Sequence, residues 1–126
     1  MTVCRGIRGA TTADDNSKEA IFSATGELFA GIVKANQIQE DQVAAVFFTT
    51  TQDLNAAFPA TVVRRTGWER TALLCGHEMM VPDGLPRCIR ILILVNTDKE
   101  PQELVNVYLK EAVNLRAEEE EYAPMD

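Results

Sequence analysis

The sequence predicts one α/β (α+β) domain built on a mixed β-sheet with helices packed on one face. Apolar residues recur at helical period between residues 17 and 35, and short β-rich runs lie on both sides of that segment. The chain has 126 residues, and 46% of them are apolar, which suits one globular domain. We assign residues 1–116 to that domain. Residues 117–126 contain five acids and no base and are expected to form a mobile tail.

Local patterns predict the individual elements. Residues 3–12 are β-rich and contain two glycines, which indicates a first strand that is either bulged or closely approached. Asn16 and Glu19 resemble a capping box at the start of a helix that ends at Asn36. The other predicted elements are strands at residues 43–51, 71–75 and 88–96, a short helix at 59–65 and a helix at about 101–111.

Charge and cysteine content restrict the class of partner. The net charge of −7 argues against a nucleic-acid surface. Eight arginines against four lysines favour carboxylates or phosphates as ligands, because the guanidinium fork matches those groups. No segment is long and apolar enough to predict a membrane span. The three cysteines are odd in number and include no CxxC pair, so they form no disulfide framework. We therefore expect a cytoplasmic protein.

Arg90 is the most specific local signal. It lies in CIRILILVN (residues 88–96), where both faces of the predicted strand are otherwise apolar. A guanidinium placed there costs several kcal/mol to desolvate unless it has a partner. Arg90 is therefore either paired with a structural carboxylate, such as Glu78, or held rigidly for an anionic ligand. Because the predicted helices cover one face of the sheet, an oligomer is expected to cover the other.

Other candidate residues are weaker signals taken one at a time. Arg8 lies between two glycines that would let a ligand approach, and Cys75 and Glu78 of CGHEM could converge on one ligand. Taken alone, Glu78 is more often a solvated loop carboxylate, and Tyr108 more often a core residue with a satisfied hydroxyl. His77 is the only histidine and HExxH is absent, so we expect no zinc site. No nucleophile–base pair is evident, and we expect chemistry without a metal or a covalent intermediate.

Six segments taken together resemble the trimeric, AroH-type chorismate mutase family. They follow one another over nearly the whole chain: RGIRGATT (5–12), DLNAAFPATVVR (53–64), GW (67–68), CGHEM (75–79), CIR (88–90) and VYLKEAVNLR (107–116). The resemblance implies a homotrimer with a pseudo-α/β-barrel core and active sites between subunits. It also implies a cofactor-free [3,3] rearrangement of chorismate to prephenate, a step towards phenylalanine and tyrosine.

The resemblance also implies residue roles. Arg90 would place its guanidinium at the ether oxygen of the breaking bond. The other residues would bind or enclose the substrate: Arg8 and Tyr108 at a carboxylate, Glu78 at the ring hydroxyl with Cys75 beside it, Phe58 and Arg64 from the neighbouring subunit, and Leu115 and Arg116 over the cleft. Thr61 and Leu74 depart from the lysine and threonine that some relatives carry, so affinity is expected to differ.

Two alternatives stay open from the sequence alone. A trimer with clefts between subunits could bind an anionic metabolite without turning it over. An enamine or imine deaminase on a similar trimeric scaffold would also use an arginine in the cleft, although CGHEM and VYLKEAVNLR do not indicate that activity. Fold analogy cannot decide between these functions.

Overall fold

The computed structural model describes residues 1–113 and residue 115. Arg116 and the predicted acidic tail at 117–126 lie outside the described residues. The helices and strands are β1 (Val3–Thr12), α1 (Lys18–Asn36), β2 (Val43–Thr50), α2 (Thr61–Arg65), β3 (Leu73–His77), β4 (Cys88–Thr97) and β5 (Val107–Tyr108). Single 3₁₀ turns lie at Glu40–Gln42, Pro101–Glu103 and Lys110–Ala112. Neither helix in this part of the chain is long and apolar enough to cross a membrane.

The described strands form one mixed sheet in the order β3-β2-β4-β1-β5. The central strand β4 runs antiparallel to both β1 and β2. The edge strands β3 and β5 run parallel to their neighbours. The predicted fold class, a mixed sheet with helices packed on one face, is confirmed.

Helix α1 packs on one face of this sheet. Leu28 and Ile32 of α1 are fully buried in a core that they share with Ile7, Ile91 and Ile93 of the central strands. Alternation along each strand directs these isoleucines towards α1 and their neighbours away from it. The 3₁₀ turn at Lys110–Ala112 packs on part of the other face, where Ala112 is buried against Ala10 and Cys88, and Leu92 is 36% exposed there.

The structure of β1 decides between the two predictions made from its glycines, a bulge or a close approach by another segment. It pairs with β4 in an unbroken register from Val3 to Thr12, so the strand carries no bulge. A Cβ at Gly9 would lie 2.6 Å from Ile32 Cδ1 and 2.9 Å from the Val107 carbonyl oxygen. Gly9 therefore lets α1 and β5 approach the sheet closely.

The predicted helix at 101–111 is wrong. Pro101 does open a turn, as expected of proline at a helical start, but the segment then becomes β5. The buried Asn36 side chain binds both the N–H and the carbonyl of Val105, at 2.8 Å each. Lys110 has a φ of 52°, a left-handed conformation that interrupts a continuous α-helix. Long-range partners for the backbone outweigh a helical pattern of this length.

The start of α1 differs from the predicted capping box. Ser17 is the N-cap, and its hydroxyl accepts the Ala20 N–H at 3.1 Å. Asn16 instead uses its side-chain oxygen to accept the backbone N–H groups of Asn55 and Ala56. The helix ends at Asn36 as predicted, because Gln37 takes the left-handed conformation.

Candidate active site

A cavity of about 250 Å³ lies on the face of the sheet opposite α1. Strand register explains which side chains meet there. Arg90 pairs with Ala10 of β1 and Thr49 of β2, and Tyr108 of β5 also pairs with Ala10. In-register neighbours project to the same face. The lining includes Arg8, Phe47, Thr49, Glu78, Arg90, Leu92, Tyr108 and Leu115.

Arg90 faces Glu78 across this cavity. The Nε atom of Arg90 lies 3.3 Å from Oε2 of Glu78, and the side chains are 48% and 28% exposed. A half-exposed ion pair contributes little to stability, about 0–1 kcal/mol. Arg90 thus has the carboxylate partner that the sequence suggested, but in an open cavity rather than in a sealed core. The contact uses one edge of the guanidinium, which has further N–H donors.

Glu78 is held at both its backbone and its carboxylate. It follows directly after β3, and its N–H donates to the Thr50 carbonyl at 2.8 Å. The Thr49 hydroxyl donates to the same Glu78 oxygen that faces Arg90. Two successive residues of β2 therefore determine where this carboxylate lies.

Arg8 and Tyr108 approach from the other side of the cavity. Arg8 lies on β1 opposite Leu92, so its side chain projects to the same face as that of Arg90. Its backbone N–H donates to the Asn106 side-chain oxygen at 2.9 Å, which holds the start of β5 against β1. Two arginines and one glutamate line the cavity, and this balance favours an anionic ligand.

Cys75 and Phe58 lie in a different cleft. This second cleft measures about 610 Å³, and both residues line it with Thr61. Cys75 pairs with the buried Phe48, so it projects to the α1 face, away from Arg90. Burial raises the pKa of the Cys75 thiol, against the effect of a hydrogen bond with the Ala60 backbone. One chain alone therefore does not bring Cys75 beside Glu78.

Arg64 lines neither cavity in a single chain. It is exposed, and its guanidinium donates to the Trp68 and Glu69 carbonyls at 3.2 and 2.7 Å. Phe58 is 73% exposed. Both residues thus lie at a surface that a second copy could contact. Leu74, one of the departures noted above, is 62% exposed on the Arg90 face, and Arg116 lies outside the described residues.

Sequence reasoning missed two polar or aromatic residues of the first cavity, Phe47 and Thr49. Phe47 and Thr49 became recognisable only from the pairing of β2 with β4. Cys88 does not line the cavity: it is buried on the same face, two positions before Arg90 in the same strand. Burial raises the pKa of its thiol, whereas the charge of Arg90 and a hydrogen bond with it act in the opposite direction.

Comparison with known proteins identifies the family. The model of the family "Chorismate mutase type I" matches residues 4–119. The chain is 50% identical over 113 residues to chorismate mutase AroH of Thermus thermophilus, covering 89% of this chain and 93% of the relative. It is 39% identical over 113 residues to chorismate mutase AroH of Bacillus subtilis, covering 89% of each chain.

The three-dimensional comparison agrees. A solved chorismate mutase from Clostridium thermocellum superposes with a TM-score of 0.86 at 43% sequence identity, covering 87% of this chain and 98% of the other. None of these relatives supports the metabolite-binding module or the deaminase as an alternative. The family-model match at residues 4–119 includes both helices, β2 to β5, and all of β1 except Val3. The chain therefore belongs to the chorismate mutase type I family, whose members are isomerases.

Proposed function

We propose that the chain converts chorismate to prephenate in the cavity around Arg90, by positioning and charge alone. The observation that carries this proposal is that Arg90, Glu78, Arg8 and Tyr108 converge on one open cavity of the sheet. The reaction is an isomerisation in which one C–O bond breaks while one C–C bond forms. It needs no proton transfer, and the cavity supplies fixed donors and charges instead of a nucleophile.

The proposed role of Arg90 is to stabilise negative charge at the ether oxygen as the C–O bond lengthens. Its strand is buried against α1 on one side, which gives the guanidinium a rigid base. A preorganised donor contributes most when it meets charge that develops in the transition state. Glu78 contacts the Nε edge of Arg90, which leaves other donors for the substrate.

The remaining residues are proposed to hold the flexible substrate in its compact, reactive conformer. Arg8 and Tyr108 would bind a carboxylate, and Glu78 would accept a hydrogen bond from the ring hydroxyl. Holding reacting atoms in the productive geometry is a large part of catalysis for a one-substrate rearrangement. Leu115 lines the cavity and would help enclose the ligand, together with Arg116.

We further propose that the working form is a homotrimer with active sites between subunits. Cys75 and Phe58 line a cleft on the other side of the sheet from Arg90, so they can reach the substrate only from another copy. Exposed apolar residues on the Arg90 face, such as Leu74 and Leu92, provide a surface for that copy. Sedimentation should then give a mass three times that of the 13.9 kDa chain.

The cellular setting is part of the same proposal. Prephenate leads to phenylalanine and tyrosine, so the chain would act in the biosynthesis of aromatic amino acids. We propose a cytoplasmic location, since Cys4, Cys75 and Cys88 are all free thiols and reduced cysteines are typical of that compartment. Residues 1–116 would form the catalytic domain, with 117–126 as an acidic extension.

The decisive experiment is direct turnover. Purified protein is mixed with chorismate in the presence of a chelator, and prephenate is measured over time. We expect product at a rate far above the spontaneous one, with no added metal or cofactor. A rate equal to the spontaneous reaction would disprove the proposed function. Binding of chorismate without turnover would instead favour a metabolite-binding protein.

A further inference from the structure

We infer that Thr49 is a positioning residue for the reaction: its hydroxyl holds the Glu78 carboxylate in a place where Arg90 stays available to the substrate. The inference rests on the proposed function of the cavity. Thr49 lines the cavity between Glu78 and Arg90 and lies opposite Arg90 in the pairing of β2 with β4. Threonine is stiff at χ1 because it is β-branched, so the strand itself sets the direction of this hydroxyl.

The contacts of Glu78 show what the hydroxyl does. Oε2 of Glu78 accepts the Thr49 hydroxyl and also lies 3.3 Å from Nε of Arg90. The adjacent Thr50 carbonyl fixes the Glu78 backbone at 2.8 Å. The Thr49 hydrogen bond therefore draws the carboxylate towards β2 and limits its contact with Arg90 to one edge of the guanidinium.

Removal of the hydroxyl has a specific consequence. The carboxylate would turn fully onto Arg90, because carboxylates and guanidinium groups favour a two-bond fork geometry. A tightly paired Arg90 offers less positive charge to the ether oxygen at the moment when negative charge develops. The loss then falls on the transition state more than on the bound ground state, and kcat decreases more than KM increases.

The test compares Thr49→Val, which keeps the shape but loses the hydroxyl, with Thr49→Ser, which keeps the hydroxyl. We expect Thr49→Val to lower kcat/KM about tenfold, mainly through kcat, since a hydrogen bond to a charged group is lost. Thr49→Ser should stay within about twofold of the unmodified chain. Thr25→Val is the matched control. The Thr25 hydroxyl is buried in α1 without a hydrogen-bond partner among the described residues, so activity should not change.

A double-mutant cycle with Glu78→Ala separates positioning from a general structural role. If Thr49 acts through Glu78, Thr49→Val should have little further effect once the carboxylate is gone. Additive losses, or a Thr49→Val variant as active as Thr25→Val, would overturn the inference while the proposed function stands. If the unmodified chain converts no chorismate, the proposed function fails, and the inference fails with it. Circular dichroism on every variant verifies the fold.

Discussion

The two faces of the sheet are built from the same strands but differ in burial and in charge. On one face Ile7, Ile91 and Ile93 are at most 2% exposed and pack against α1. On the other face Arg90 is half exposed in an open cavity, and Leu92 remains partly exposed. Alternation makes this division possible, because neighbouring residues of one strand serve opposite faces.

The comparison shows that one face of the sheet provides most of the stability, whereas the other face carries the residues of the candidate active site. The covered face supplies the apolar burial that folds the chain, at about 25 cal/mol for each Å² removed from water. Strands held in this way become rigid supports for polar groups on the open face. The charged side chains there need not stabilise the protomer. They line the open cavity, and changes on the two faces should therefore have different readouts.

The largest expected effect is on stability. Ile93→Ala removes a fully buried side chain between β4 and α1, and the free energy of unfolding should fall by about 4 kcal/mol. Chemical denaturation measures this change. Leu92→Ala, one residue away on the open face, is the control and should cost the protomer less. Equal losses of unfolding free energy at the two positions, with the mass in solution unchanged, would contradict the division between the two faces.

The next effect is on catalysis. Arg90→Ala should lower kcat by a factor of about 100 to 1,000, equivalent to about 3–4 kcal/mol of transition-state stabilisation, with the circular dichroism spectrum unchanged. Arg5→Ala is the matched control, since Arg5 projects to the α1 face and contacts the Lys99 carbonyl and Glu100. An unfolded Arg90→Ala variant would show that Arg90 is structural.

Gly9→Ala tests whether close packing on the α1 face determines the position of Tyr108 on the Arg90 face. The added methyl group would meet Ile32 and the Val107 carbonyl, and we expect a loss of about 2 kcal/mol from overpacking. Because Val107 directly precedes Tyr108, the displaced β5 should also raise KM for chorismate. Gly6→Ala is a suitable control, since its nearest contact would be an ordinary 3.4 Å. Unchanged KM in Gly9→Ala would indicate that β5 does not position Tyr108.

The smallest effect concerns the cysteines. Burial raises the pKa of the Cys88 thiol, so at about pH 8 iodoacetamide should label the exposed Cys4 well before Cys88. The unfolded thiol releases its proton at a lower pH than the folded one. Stability should therefore decrease as the pH rises above the ordinary value of 9.0. Equal labelling rates for the two thiols in the folded protein would contradict this prediction.

The sequence predicted the long elements well and the last segment poorly. Apolar periodicity located α1 and the four longer strands to within about two residues, because burial against one another maintains that pattern. The segment at 101–111 contains a helical spacing, yet Asn36 and the edge of β1 provide its backbone with partners. Such partners are distant in the sequence, so no local pattern could reveal them.

The residues of the candidate site were also only partly predictable from local sequence patterns. Resemblance to a family named Arg8, Glu78, Arg90, Tyr108 and Leu115, and these five line one cavity. Thr49 carries no local signal, since its contact with Glu78 depends on the register between β2, β3 and β4.

By itself the sequence determined the mixed α/β class, the central strand with its single guanidinium, and membership of the chorismate mutase family through six ordered motifs. These are properties of local pattern and of identity at given positions. Only the tertiary structure decided that Arg90 faces an open cavity and that Cys75 projects to the other face. It also decided that residues 107–108 join the sheet as an edge strand. The physical reason is that strand register and long-range hydrogen bonds join residues far apart in the chain, and one step of register reverses the face of every side chain.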